Sequence, residues 1–240
     1  MRPWSPTLIA PGPASEPSRQ RLFGLYPGLV TDLNDPEGQG RVQVQLPWVG
    51  EDDSSQATAW ARLATFMAGA DRGSWFIPEV DDEVLLGFVA GDPRRPVVLG
   101  ALWNGVDAPP ESMDGSGENN IRSITSRAGH KLTFDDSSGS ERITLLTQGG
   151  HELVLDDASG GTITLHHSGG AEIVIESSGT VSVTALNQVN IDAPSGLNVS
   201  AAMVSVDSAF SKFSGVVKAD TVITNAVVSS SYTPGAGNVW

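Results

Sequence analysis

Residues 141–175 read ERITLLTQGGHELVLDDASGGTITLHHSGGAEIVI, and their spacing decides the fold of the second half of the chain. Each repeat carries two aliphatic residues two positions apart: Ile143/Leu145, Leu153/Leu155, Ile163/Leu165 and Ile173/Ile175. Side chains at i and i+2 of an extended segment point the same way, so every repeat offers one strand with one small apolar face. Working outward, the pattern starts at Leu132/Phe134 and continues through Val181/Val183, Val189/Ile191, Leu197/Val199 and Val204/Val206. The first members stand 11, 10, 10, 10, 8, 8, 8 and 7 residues apart, a repeat that tightens toward the C-terminus. A short period with one apolar face per repeat marks a β-solenoid or β-helix.

One chain cannot bury two small side chains per strand, and eight residues are too few for a single-chain rung with several inward faces. Three chains wound around one axis remove the shortage, because the three inward pairs meet in the middle. The reading is therefore an intertwined, trimeric, triple-stranded β-helix over residues 121–231, a homotrimer whose core is made of these nine pairs. Each chain's ladder is then completed by its neighbours, which leaves no open strand edge. At roughly 1.5–3 kcal/mol per fully buried aliphatic side chain, the pairs make a substantial core only when three chains supply them. A monomer of this segment is expected to be unfolded.

Upstream the texture differs: ten of the fifteen Phe, Trp and Tyr residues precede Ile121. Residues 21–107 alternate short apolar runs such as Val42-Gln43-Val44-Gln45-Leu46 and Glu83-Val84-Leu85-Leu86-Gly87-Phe88 with turns such as Asp35-Pro36-Glu37-Gly38 and Gly91-Asp92-Pro93. Five or six short strands with no helix between them suit a small barrel of the OB type. Residues 108–120 are Pro, Gly, Ser and acids with almost nothing apolar, and read as a linker. Residues 1–20 hold Pro3, Pro6, Pro11, Pro13 and Pro17, which forbid helix and remove ladder donors. They form an extended arm whose Trp4, Leu8 and Ile9 imply that it lies on something. The fold class is all-β throughout.

The 240 residues carry a formal charge of −14, divided as −9 over residues 1–120 (8 basic, 17 acidic) and −5 over residues 121–240 (6 basic, 11 acidic). Nucleic-acid binding works by neutralising phosphates with Lys and Arg, so an acidic chain without a basic cluster argues against DNA or RNA as partner. With no Cys, neither a disulfide nor a thiolate metal site is possible. No run approaches the ~20 apolar residues of a spanning helix, and none in residues 1–20 has signal-peptide length. The expectation is a soluble protein assembled in the cytoplasm without a cleaved signal.

Six segments carry a resemblance in order: Gly24-Leu25-Tyr26-Pro27-Gly28, Asp35-Pro36-Glu37-Gly38-Gln39-Gly40-Arg41-Val42, Ala59-Trp60-Ala61-Arg62-Leu63, Pro78-Glu79-Val80-Asp81-Asp82-Glu83-Val84, Gly91-Asp92-Pro93-Arg94-Arg95-Pro96 and Gly100-Ala101-Leu102-Trp103-Asn104. They resemble the OB domain of the VgrG and phage baseplate assembly protein V family of spikes. Ser126-Arg127-Ala128-Gly129-His130-Lys131-Leu132-Thr133-Phe134-Asp135-Asp136 and Glu141-Arg142-Ile143-Thr144-Leu145 look like the opening of that family's triple-stranded β-helix. The resemblance implies a membrane-piercing needle in a contractile tail, type VI secretion system or extracellular injection system. It implies a hub above the barrel, a PAAR-type tip protein below, effectors as further partners, and transient membrane contact on firing.

Three departures shape the expectation. VgrG proteins carry a large hub domain before the barrel; only the Pro-rich arm stands there, so the hub is expected to be a separate protein. Some phage relatives insert a lysozyme domain between barrel and helix, for which residues 108–120 leave no room. Several phage spikes end in a His-x-His iron ring, whereas His166 and His167 are adjacent and no His follows them. No catalytic residue, cofactor or metal is therefore expected, and a tip protein takes the place of the metal. Residues 232–240 break the repeat with Pro234, Gly235 and Gly237, and form either a cap of the open prism or a tip-docking segment through Tyr232, Val239 and Trp240.

The remaining motifs have structural readings. Asp135-Asp136 and Asp156-Asp157 precede Ser or Ala and Gly, as turn caps do, and adjacent strand residues point to opposite faces, so neither doublet is a carboxylate pair on one substrate. His130 and His151 occupy matching repeat positions after Gly and read as turn residues. Arg94-Arg95 reads as an ion-pairing turn. Two rivals remain at this point: a β-helical polysaccharide-degrading enzyme, and an OB-type binding module on a β-helical stalk.

Overall fold

The computed structural model describes residues 21–49, 57–113 and 115–231. The chain divides into two units, residues 1–188 and 189–240. The Pro-rich arm of residues 1–20, and the C-terminal stretch with Tyr232, Val239 and Trp240, lie outside the described residues.

The first unit opens with a closed barrel. Its strands are β1 (Tyr26–Asp32), β2 (Val42–Leu46), β3 (Ala57–Leu63), β6 (Glu83–Phe88) and β7 (Pro96–Ala101), in the order β1-β2-β3-β7-β6. The ring closes through antiparallel β1–β6 pairing, and only β3–β7 is parallel. Alternation sets the interior: Val42, Val44 and Leu46 of β2 point in while Gln43 and Gln45 do not, and they meet Val30, Ala61, Val84, Leu86 and Val98, all at most 4% exposed. Tyr26, Trp48 and Phe88 cluster against this core, with Tyr26 and Trp48 stacked at 4.5 Å and the Trp48 indole N–H donating to the Pro27 carbonyl at 2.8 Å. A short hairpin, β4 (Ala68–Gly69) and β5 (Arg72–Gly73), is inserted between β3 and β6.

Asp35 organises the β1–β2 loop. Its carboxylate accepts the backbone N–H groups of Glu37, Gln39 and Arg41 and the Arg41 guanidinium at 2.7 Å, which lets the chain turn tightly through Gly38 and Gly40. The guanidinium hydrogen bond, helped by these N–H groups, holds the Asp35 carboxyl far below the ordinary carboxylate range. A depressed folded-state value stabilises the fold above the unfolded value of about 4, and that contribution fades as pH falls further toward the folded value. Asp35→Asn should therefore lower the barrel's melting temperature at pH 7 by about 5 °C. The gap between variant and wild type should narrow below about pH 4 in circular-dichroism melts; an equal gap at pH 7 and pH 2.5 would refute the assignment.

After the linker the same unit continues as seven antiparallel strands in strict sequence order: β8 (Ile121–Thr125), β9 (Lys131–Asp135), β10 (Arg142–Leu146), β11 (Glu152–Asp156), β12 (Thr162–His166), β13 (Glu172–Ile175) and β14 (Val181–Thr184). The repeat region is thus not one uniform coil. Up to Thr184 each chain completes its own ladder, which corrects the expectation that neighbours complete it throughout and that a lone chain has no structure here. The cause is the ten-residue spacing, which holds a five-residue strand and a turn long enough to reverse direction. At one sheet edge the turns share a form in which Gly129, Gly150 and Gly170, with φ of 86°, 81° and 92°, donate to the Ser126, Thr147 and His167 carbonyls.

Past Thr184 the spacing drops to eight and the regular turn glycines stop. Among the described residues of the second unit there is no strand, and its one backbone turn bond runs from the Gly196 N–H to the Ala193 carbonyl.

Candidate functional site

The register of the meander settles what each pair does within the sheet. Phe134 lies opposite Ile143, Ile143 opposite Leu155, Leu155 opposite Ile163, Ile163 opposite Ile175 and Ile175 opposite Val181. Leu132, Leu145, Leu153, Leu165, Ile173 and Val183 form a second row beside the first. Directly opposed residues of antiparallel strands share a face, so twelve of the eighteen residues singled out by spacing form one continuous apolar face. Leu132 and Leu153 are half-buried, and the other ten are 39–60% exposed. The uncovered apolar area is on the order of a thousand Å², above the few hundred Å² that a monomer ordinarily exposes.

The spacing argument missed Ile124, which extends this face opposite Leu132. Its i−2 neighbour is Arg122, so the apolar pair was broken. Arg122 sits opposite Phe134 at the rim, with its guanidinium on the Asp136 carboxylate. The other six spacing residues, Val189, Ile191, Leu197, Val199, Val204 and Val206, belong to the second unit, where they are 56–73% exposed and on no strand.

The reverse face is polar. Thr133, Thr144, Val154, Thr164, Val174 and Ser182 run down its middle, and complementary charges face one another at its margins. Arg142 lies opposite both Asp135 and Asp156 and reaches the Asp135 carboxylate at 3.1 Å. Hydrogen bonds from Ser137, then the Arg142 guanidinium, hold the Asp135 carboxyl below its usual value. His166 faces Glu172 at 3.7 Å.

The titratable motifs are spent on turns. Asp135 and Asp156 accept the Ser137 and Ala158 N–H groups. The Nδ1 of His130 accepts the Gln148 N–H and that of His151 the Ser168 N–H, each tying one turn to the next along the edge. Arg94 pairs with Asp92 in its own turn, which brings the Asp92 carboxyl down to about 2. Among the described residues no three His, Cys, Asp or Glu side chains are grouped to hold a metal ion, and no helix is long and apolar enough to cross a membrane. What remains as the principal surface is the apolar face.

Comparison with known proteins agrees in both halves. Residues 26–103 match the type VI secretion system/phage-baseplate injector OB domain, and residues 142–210 match the phage baseplate V C-terminal trimerisation domain, together more than half of the chain. The chain belongs to the phage baseplate V family. The baseplate V trimerisation region takes in all the spacing residues except Leu132 and Phe134. Among the relatives, the chain is 30% identical over 128 residues to the type VI secretion system spike protein VgrG3 of Vibrio cholerae, covering 49% of this chain and 13% of that protein. It is 31% identical over 154 residues to spike protein VgrG5 of Pseudomonas aeruginosa (59% and 19%) and 32% identical over 146 residues to VgrG4b of the same organism (55% and 17%). This baseplate V chain thus spans less than a fifth of the length of these curated relatives.

Proposed function

We propose that the chain is the central spike of a contractile injection machine of the phage-baseplate or type VI kind, and that its work is mechanical. The observation that carries this is the continuous apolar face from Ile124 to Val183, which a single chain leaves open. Three copies close three such faces into a prism, and the second unit continues it as intertwined rungs. The nine spacing pairs form the interior. Laterally hydrogen-bonded strands around a continuous core make a stiff rod, able to transmit the thrust of a contracting sheath. Three copies triple the charge of −14, which keeps the needle dispersed and limits adhesion to anionic lipid heads.

In this reading residues 21–107 are the barrel, 108–120 the linker and 121–231 the needle. A separate hub sits above the barrel, a PAAR-type tip protein docks at residues 232–240 through Tyr232, Val239 and Trp240, and the needle pierces the target membrane on firing, with or without effector cargo. The chain has no enzymatic role; its paired acids are engaged in turns and ion pairs.

Light scattering on the purified chain at micromolar concentration tests the assembly, with the mass of three chains expected; a monomer would overturn it. Particles built without the chain should assemble no central needle by electron microscopy and should fail to inject.

A further inference from the structure

The hairpin between β3 and β6 holds large apolar side chains out into solvent: Phe66 is 100% exposed, Trp75 76%, Phe76 73% and Met67 51%. It is a built feature. The Ser74 N–H donates to the Met67 carbonyl at 2.9 Å, the Thr65 hydroxyl donates to the Ser74 carbonyl at 2.9 Å, and a Cβ at position 73 would stand 2.6 Å from the Met67 oxygen, so only glycine closes the hairpin. The Trp75 ring packs over Gly40 of the β1–β2 loop, where a Cβ would come within 3.3 Å of it. A groove of about 570 Å³, walled by Arg62, Trp75 and Phe76, opens beside the ring. A second, of about 340 Å³ and lined by Leu33, Gly38 and Ile77, also borders Trp75. Trp75 is thus a partition with open space against it on two sides.

We propose that this double groove seats the Pro-rich residues 1–20 of the chain itself, in the same copy or a neighbouring one. Pro-rich segments carry their extended, three-residues-per-turn form ready-made, so they lose little entropy on docking, and aromatic-lined grooves are what grip them. The arm supplies Pro3-Trp4-Ser5-Pro6, in which the two prolines fall on one edge of such a helix, followed by Leu8 and Ile9. Its length also fits. The arm joins the barrel at Arg21 and Leu22, which are held to the Ala90 and Gly91 carbonyls at the start of β1, whereas Trp75 sits beyond the end of β1. Seven-residue β1 spans about 23 Å at ~3.3 Å per residue. An extended arm at ~3.1 Å per residue covers that in about eight residues, so Pro3 to Ile9 reach the groove with chain to spare.

The test places a photoreactive benzoylphenylalanine at Leu8 in the full chain, irradiates the purified protein and maps the products by mass spectrometry. Crosslinks are expected within residues 62–77, in the same or a neighbouring copy. Trp75→Ser should lower their yield about tenfold, as loss of an aromatic anchor does. Pro3→Ala/Pro6→Ala, which leaves the barrel untouched, should lower it in the same direction. Crosslinks elsewhere on the protein, a yield indifferent to both variants, or groove crosslinks that appear only to a separate protein in assembled particles would each overturn the proposal. The measurement does not depend on the mass of the assembly, so it fails or succeeds apart from the spike reading.

Discussion

Ile163→Asp leaves the protein as a monomer, while Thr164→Asp, one residue along, leaves the assembly intact. Ile163 lies at the centre of the apolar face, opposite Leu155 on one side and Ile175 on the other. In a closed prism the substitution removes an aliphatic side chain worth roughly 1.5–3 kcal/mol and installs a carboxylate without a partner, at a cost of several kcal/mol more. Symmetry applies the change three times around one axis, so the total is on the order of 10 kcal/mol or more, comparable to the whole stability of a typical domain. Thr164 occupies the polar face between Val154 and Val174, where a carboxylate stays in water. The barrel should be unaffected in both variants, because its core is buried within one chain and ends at Val98. Light scattering reads the mass, and near-ultraviolet circular dichroism of the barrel's Trp residues reports its fold. A trimeric Ile163→Asp, or equal loss in the two variants, would mean that the apolar face is not the interior.

How much of this was legible in the sequence follows from which physical signals are local. The two-residue alternation of Val42, Val44 and Leu46 and the pairs from Leu132 to Val183 announce strands and their buried sides, because side-chain direction in extended chain depends on nothing but parity. The turn roles of Asp135, Asp156, His130 and His151 were equally visible, since each stands beside the Ser, Ala or Gly that shapes its turn. Who supplies the hydrogen bonds was harder to read. Pairs ten apart and pairs eight apart look alike as apolar patterns, yet one spacing folds back on itself and the other does not. The signal that separates them was present in the turn glycines at 129, 139, 150, 160, 170 and 179, which stop where the spacing shortens. Ile124 was hidden by Arg122, and the Trp75 partition by distance: Gly40 and Trp75 are 35 residues apart in sequence and meet only through barrel closure.

In the assembled protein, the backbone amides of Val189, Ile191, Leu197, Val199, Val204 and Val206 resist hydrogen exchange about a thousand-fold more than in a free peptide, and they lose that protection in Ile163→Asp. Within one chain these residues have no ladder, and the described part of their unit supplies one turn bond and local bonds such as Ser208 with Phe210. A backbone N–H withdrawn from water needs a partner, and burial without one costs as much as a lost hydrogen bond. If the distal pairs are to be covered, the partners must therefore come from other copies, and coverage and hydrogen bonding must appear together. An opening free energy of about 4 kcal/mol corresponds to the thousand-fold slowing. Mass-spectrometric exchange on the wild-type assembly and on the Ile163→Asp monomer makes the comparison directly. Free-peptide exchange rates in a particle with the mass of three chains would refute intertwining of the distal rungs while leaving the prism of residues 121–184 standing, since that sheet carries its own hydrogen bonds.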